Sequence, residues 1–175
     1  MLGPLRALGP VMDTFATLPP VGIAELHMDP RDPVPADSTH AMLGDLDSAA
    51  IDRLVEAAGP DSGSALLSVE LRHAGGALSR SAPGAGAVAT LPGEFAFFAV
   101  GIAVPEMASK TRADLDRVAA ALRPYEAGHY FNFVEEKSDP TGFFPPTVAT
   151  RLEAARDTYD PERLMQANHE IAATR

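Results

Sequence analysis

The sequence predicts an α+β fold: an antiparallel or mixed sheet with helices packed on one face, plus a C-terminal helical tail. Three observations carry this. Residues 94–104 are almost continuously apolar and lie between Pro92-Gly93 and Pro105, as a strand buried on both faces would. Residues 64–72 alternate, with Leu67, Val69 and Leu71 on one face and Leu66, Ser68, Glu70 and Arg72 on the other. Residues 112–123 place Leu115, Val118, Ala119 and Leu122 on one helical stripe. Strands and helices alternate without a strict βαβ repeat, which favours α+β over a doubly wound sheet.

The remaining elements follow in order. Residues 1–45 read as an irregular arm, because Pro4, Pro10, Pro19, Pro20, Pro30, Pro33 and Pro35 keep any helix short. An α+β domain follows over 46–134, and a loop and helical tail over 135–175. Residues 48–58 read as a helix, with Ile51, Leu54, Val55 and Ala58 on one face, Asp47 as cap, and Gly59-Pro60 as stop. Gly75-Gly76 permits a turn, after which Ala77–Arg80 reads as a returning strand. Thr111 and Asp114 form a T-x-x-D start for the 112–123 helix, and Pro124 ends it. Residues 128–134 (GHYFNFV) read as a short aromatic strand. Val148, Leu152, Ala155 and Tyr159 mark the tail helix, and Asp160-Pro161 opens a last short one.

Composition narrows the function classes. With no cysteine, disulfides, thiolate catalysis and cysteine-based metal sites are excluded. A formal net charge of -10 argues against nucleic acid or an anionic membrane as partner. The apolar run is far shorter than the roughly 20 residues a spanning helix needs. The N-terminal segment lacks the pattern of a secretory signal, so a cytoplasmic address is expected. The five histidines show no metal-ligand spacing, so no metal is expected. There is no dinucleotide fingerprint, no Walker loop and no nucleophile elbow.

Two pairs remain. Glu70 and Arg72 share a strand face and read first as a surface ion pair, with a base beside a cation as the functional alternative. Tyr130 and Asn132 share a face of the 128–134 strand, with His129, Phe131 and Phe133 on the other. An amide that both donates and accepts, beside a phenol, suits a polar ring edge in an apolar cavity. The same residues also suit a packed strand with a satisfied Asn.

Tyr130-Phe131-Asn132-Phe133, then Arg151-Leu152, Tyr159-Asp160-Pro161 and Asn168-His169 with Ile171, form an ordered series. The series resembles the closing pattern of berberine-bridge-type FAD-linked oxidases. Gly75-Gly76-Ala77 and the Pro4-Leu5-Arg6 run agree more loosely. The resemblance implies the substrate-side, C-terminal portion of such an enzyme, without its flavin-binding domain. By this resemblance FAD is the cofactor, bound mainly by a separate or missing domain. The substrate would be an alcohol, sugar or other small organic metabolite. Tyr130 and Asn132 would lie beside the flavin ring, with Tyr130 as candidate catalytic base, since Phe133 cannot take a proton. Phe97, Phe98, Ala99 and Gly101 would line one wall of the pocket. The alternative is a non-catalytic binding module, forming a homodimer through the face left by the flavin domain.

Overall fold

The computed structural model describes residues 2–26, 30–135 and 143–171. Two units make up the chain, Met1–Val34 and Pro35–Arg175. The first holds a single helical turn, α1 (Gly3–Arg6), and a 3₁₀ segment at Pro20–Glu25. Arg6 organises it, pairing with Asp13 and donating to the Phe15 carbonyl. Leu8, Val11 and Phe15 are exposed.

The second unit is built on a four-stranded antiparallel sheet. Its strands are β1 (Ala36–Leu43), β2 (Ser68–His73), β3 (Phe95–Ile102) and β4 (Glu126–Gly128), in the order β2-β3-β1-β4. The helices are α2 (Ser48–Ala58), α3 (Ala108–Leu122) and α4 (Pro146–Tyr159). This is the predicted α+β class. Among the described residues no helix is long and apolar enough to cross a membrane.

Register on β3 decides which side chains meet. Phe97 and Ala99 face α2 and α3 and form the main core with Leu43, Ala57, Leu115, Val118 and Leu122. Their partners across the ladder, Ala41 and Thr39 on β1 and Leu71 and Val69 on β2, share that face. Gly101 sits where a Cβ would lie 2.6 Å from Thr111 Cγ2, so its lack of a side chain lets α3 approach. Ala96 and Phe98 point the other way, with Met42 and His40 as β1 partners.

Several expectations need correction. Residues 36–43 are a full strand within the stretch read as an irregular arm. Its mixed sequence, ADSTHAML, hides the alternation because only one face enters the helix-side core. Ala77–Arg80 is not a strand; Gly76–Ser79 is a 3₁₀ turn, with Gly76 at φ +72°. Leu67 lies before β2 and is exposed, apart from Val69 and Leu71. Asp160-Pro161 opens no helix. Instead the Asp160 carboxylate accepts from the Leu164 and Met165 amides and folds the tail as a turn.

Thr111 and Asp114 do not start α3, which begins at Ala108. Both are buried inside it. Thr111 Oγ1 donates to the Ile102 carbonyl at 2.6 Å, tying helix to strand. Asp114 accepts from Ala65 N at 2.8 Å and pairs with Lys110 and Arg117 at 2.9 Å each. Burial alone would raise the Asp114 carboxyl, but the Ala65 amide and the two cations together hold it below its ordinary value.

Asp114 therefore fixes the loop before β2 to α3. Asp114→Ala should destabilise the domain by about 1–3 kcal/mol, because it leaves the part-buried Ala65 amide without its acceptor and removes the shared partner of two half-exposed cations. Asp114→Asn, which keeps an acceptor for Ala65, should cost less. Urea unfolding midpoints of the three proteins check the order.

Candidate functional site

After α3, a 3₁₀ turn at Arg123–Tyr125 leads into β4, which pairs with the end of β1. Gly128 has φ +146°, a conformation that L side chains rarely adopt, and a Cβ there would meet Pro92 Cγ at 3.1 Å. The chain leaves the sheet at this point. The expected strand over 128–134 is thus replaced by β4 and a 3₁₀ turn at Phe131–Phe133, closed by Phe133 N donating to the Tyr130 carbonyl at 2.8 Å.

The turn still brings the two predicted residues together. Asn132 Nδ2 donates to Tyr130 Oη at 3.0 Å. Tyr130 keeps its own O–H to donate, and Asn132 keeps its carbonyl oxygen to accept. One donor and one acceptor are thereby offered side by side.

Phe133 explains why this turn sits where it does. Its ring lies 5.1 Å from Phe98, 4.9 Å from Tyr130 and 6.2 Å from His40, centroid to centroid. The Arg72 guanidinium stands 5.3 Å above it. Phe133 is thus a plug on the face of the sheet opposite α2 and α3. Arg72 also donates twice to Glu70, at 2.6 and 2.9 Å, so this pair is the ion pair that its spacing suggests.

His40, on β1, holds the turn from beneath. Its Nε2 accepts from the Tyr130 backbone N–H at 3.1 Å. That bond requires a lone pair on Nε2, hence a neutral ring with its proton on Nδ1. Burial, with a contribution from the neighbouring His129, pushes the His40 pKa down to about 4. The sequence offered no signal for this role, because His40 is ninety residues away from Tyr130 along the chain.

Beside the turn lies a cavity of about 650 Å³, within the usual range for small-molecule sites. Its walls are the Ala87–Pro92 loop, His129–Asn132, Phe143–Pro145, Val148, Arg151 and Leu152 from α4, and Ile171. Phe131 packs against Phe143 and Phe144, each at 5.5 Å between centroids. His169 completes this cluster, with Nε2 donating to the Val134 carbonyl at 2.9 Å. Phe97, Phe98, Ala99 and Gly101 do not line the cavity: Phe97 and Ala99 belong to the helix-side core, Gly101 abuts Thr111, and Phe98 lies under Phe133.

The Tyr130 hydroxyl and the Asn132 amide offer one donor and one acceptor at the cavity wall. The described residues include no glycine-rich phosphate loop opening a helix. No group of three or more histidine or acidic side chains suited to a metal occurs among them. Comparison with protein-family models and with curated proteins finds no match to this chain.

The His40 arrangement predicts a pH dependence. The imidazole titrates near 6.5 when unfolded and about 4 when folded. Between those values the unfolded chain binds more protons. The stability from neutral His40 is therefore complete above pH 6.5 and is lost as pH falls through about 4. Allowing for the ring's partial exposure, the loss is about 1–2 kcal/mol. His40→Asn, which can still accept but does not titrate, should flatten this part of the profile, read by thermal unfolding between pH 4 and 7.

Proposed function

We propose that this chain is the substrate-side domain of an FAD-dependent oxidoreductase, one that oxidises an alcohol, sugar or secondary metabolite. The flavin is held mainly by a second domain, so the chain alone is inactive, and the enzyme works in the cytoplasm. The reading rests on one observation. The Tyr130–Asn132 pair, in the segment resembling the oxidase pattern, lies on the wall of a largely apolar cavity.

Bound FAD would supply the hydride acceptor. This chain's residues would position the substrate. The apolar walls exclude water and hold its body. Tyr130 Oη, already accepting from Asn132, is the group able to take or give a proton at a substrate hydroxyl. Asn132 fixes the direction of that hydroxyl's lone pair and proton.

Sequencing the DNA around the gene and co-expressing the chain with the flavin-binding segment encoded there tests this. A yellow complex should copurify and lose its visible flavin band under anaerobic substrate. Tyr130→Phe should then lower kcat/KM by about tenfold to a hundredfold. Absence of any such segment, or a complex never bleached by alcohols or sugars, would overturn the reading.

A second reading, a non-catalytic module that self-associates, is favoured by one feature. Tyr159, Leu164 and Met165 in the tail are all at least 70% exposed. It predicts a concentration-dependent dimer in sedimentation velocity, weakened by Leu164→Ser. A strict monomer at all concentrations would exclude it.

A further inference from the structure

The cavity beside Tyr130 is lined almost wholly by neutral groups, and this bears on what it would hold. Among its described lining residues Arg151 is the only permanently charged one. Arg151 lies on α4 and forms no ion pair or hydrogen bond among the described residues. The other polar lining groups are uncharged or locally paired: His129 lies 3.4 Å from Glu126, Asn132 donates to Tyr130, and Thr90 adds a hydroxyl. Arg151, exposed on α4, is thus the one fixed cation among the described lining residues of a largely apolar cavity that also carries the phenol–amide pair and Thr90.

A ligand filling this cavity lies against Arg151, whose long, flexible side chain can turn its guanidinium onto the ligand. Covering a cation without a counter-charge costs free energy, whereas a carboxylate satisfies it with two parallel N–H···O bonds. The protein as a whole repels anions, with a net charge of -10. An acid would therefore be held by local geometry rather than by the general field.

We propose that the substrate of this cavity is an amphipathic organic acid: an apolar, ring-sized body, a carboxylate on Arg151, and its polar reacting end toward Tyr130 and Asn132. The inference rests on the cavity being the substrate site proposed above. Its test needs no flavin, so it can fail while the oxidase reading stands.

The chain contains no tryptophan, so naphthalene emission can be followed over a background of tyrosine alone. Titrating the full chain with 1-naphthoate and with neutral 1-naphthylmethanol should show the acid binding about tenfold tighter or more. Arg151→Gln should abolish that preference while leaving affinity for the alcohol unchanged. Arg151→Lys should keep part of it, and raised salt should weaken only the acid. Arg80→Gln, which removes one charge from an exposed site outside the cavity, should keep the preference. Equal affinities in the unmodified chain, a preference that survives Arg151→Gln, one that disappears equally with Arg80→Gln, or no saturable binding of either probe would each overturn the proposal. Circular dichroism of the variants separates these results from misfolding.

Discussion

The two-sided burial of β3 is the constraint on which the other features depend. Its residues alternate between two different jobs. Phe97 and Ala99 close the core under α2 and α3, while Phe98 supports the aromatic layer on the opposite face. A slip of one residue would exchange these sets and lose both layers at once. Pairing with β1 on one side and β2 on the other makes such a slip costly, because both ladders would have to move together.

The candidate site is a consequence of the second face. Phe133 reaches down to Phe98, His40 and Arg72, and in doing so fixes one end of a short turn. His40 fixes the other end through the Tyr130 amide. With both ends anchored on the sheet, the backbone of the turn holds Tyr130 and Asn132 side by side, although the Asn132 side chain itself is exposed. The polar pair is thus held by apolar packing and one backbone bond, and it faces a chamber whose other walls come from loops and α4. A rigid sheet beneath an irregular functional segment is a common division of labour.

Much of this was legible in the sequence where local pattern and tertiary role agree. The boundaries of α2 followed from Asp47, which does accept from the Ala50 amide, and from the Gly59 stop. Its buried face, however, is Ala50 and Ala57 with Leu54 and Ala58 beside them, while Ile51 and Val55 of the expected stripe are exposed. β3 followed from an apolar run too continuous for a half-exposed strand. Legibility failed where tertiary contacts override local signals. The sequence of β1 is locally unremarkable and becomes a strand through its eight-residue ladder with β3. Thr111 and Asp114 look like a helix start yet serve as buried ties, because their partners Ile102 and Ala65 lie on other elements. The site was half visible: the Tyr130–Asn132 pair and Arg151 stood out in the sequence, but only the fold sets Arg151 on the cavity wall and brings His40 to the turn.

Tyr130 and Asn132 illustrate how a correct pairing can come from a wrong local structure. Strand alternation places i and i+2 on one face, and a single 3₁₀ turn also brings their polar ends within hydrogen-bond distance. The difference matters for function. On a strand, the backbone groups of 129–133 would be committed to a neighbouring ladder. In the turn, the Tyr130 amide is free to bond the ring of His40, and this makes the geometry of the pair depend on one imidazole staying neutral. The geometry at the cavity wall is therefore tied to a residue on a different strand, one whose burial keeps it uncharged at neutral pH.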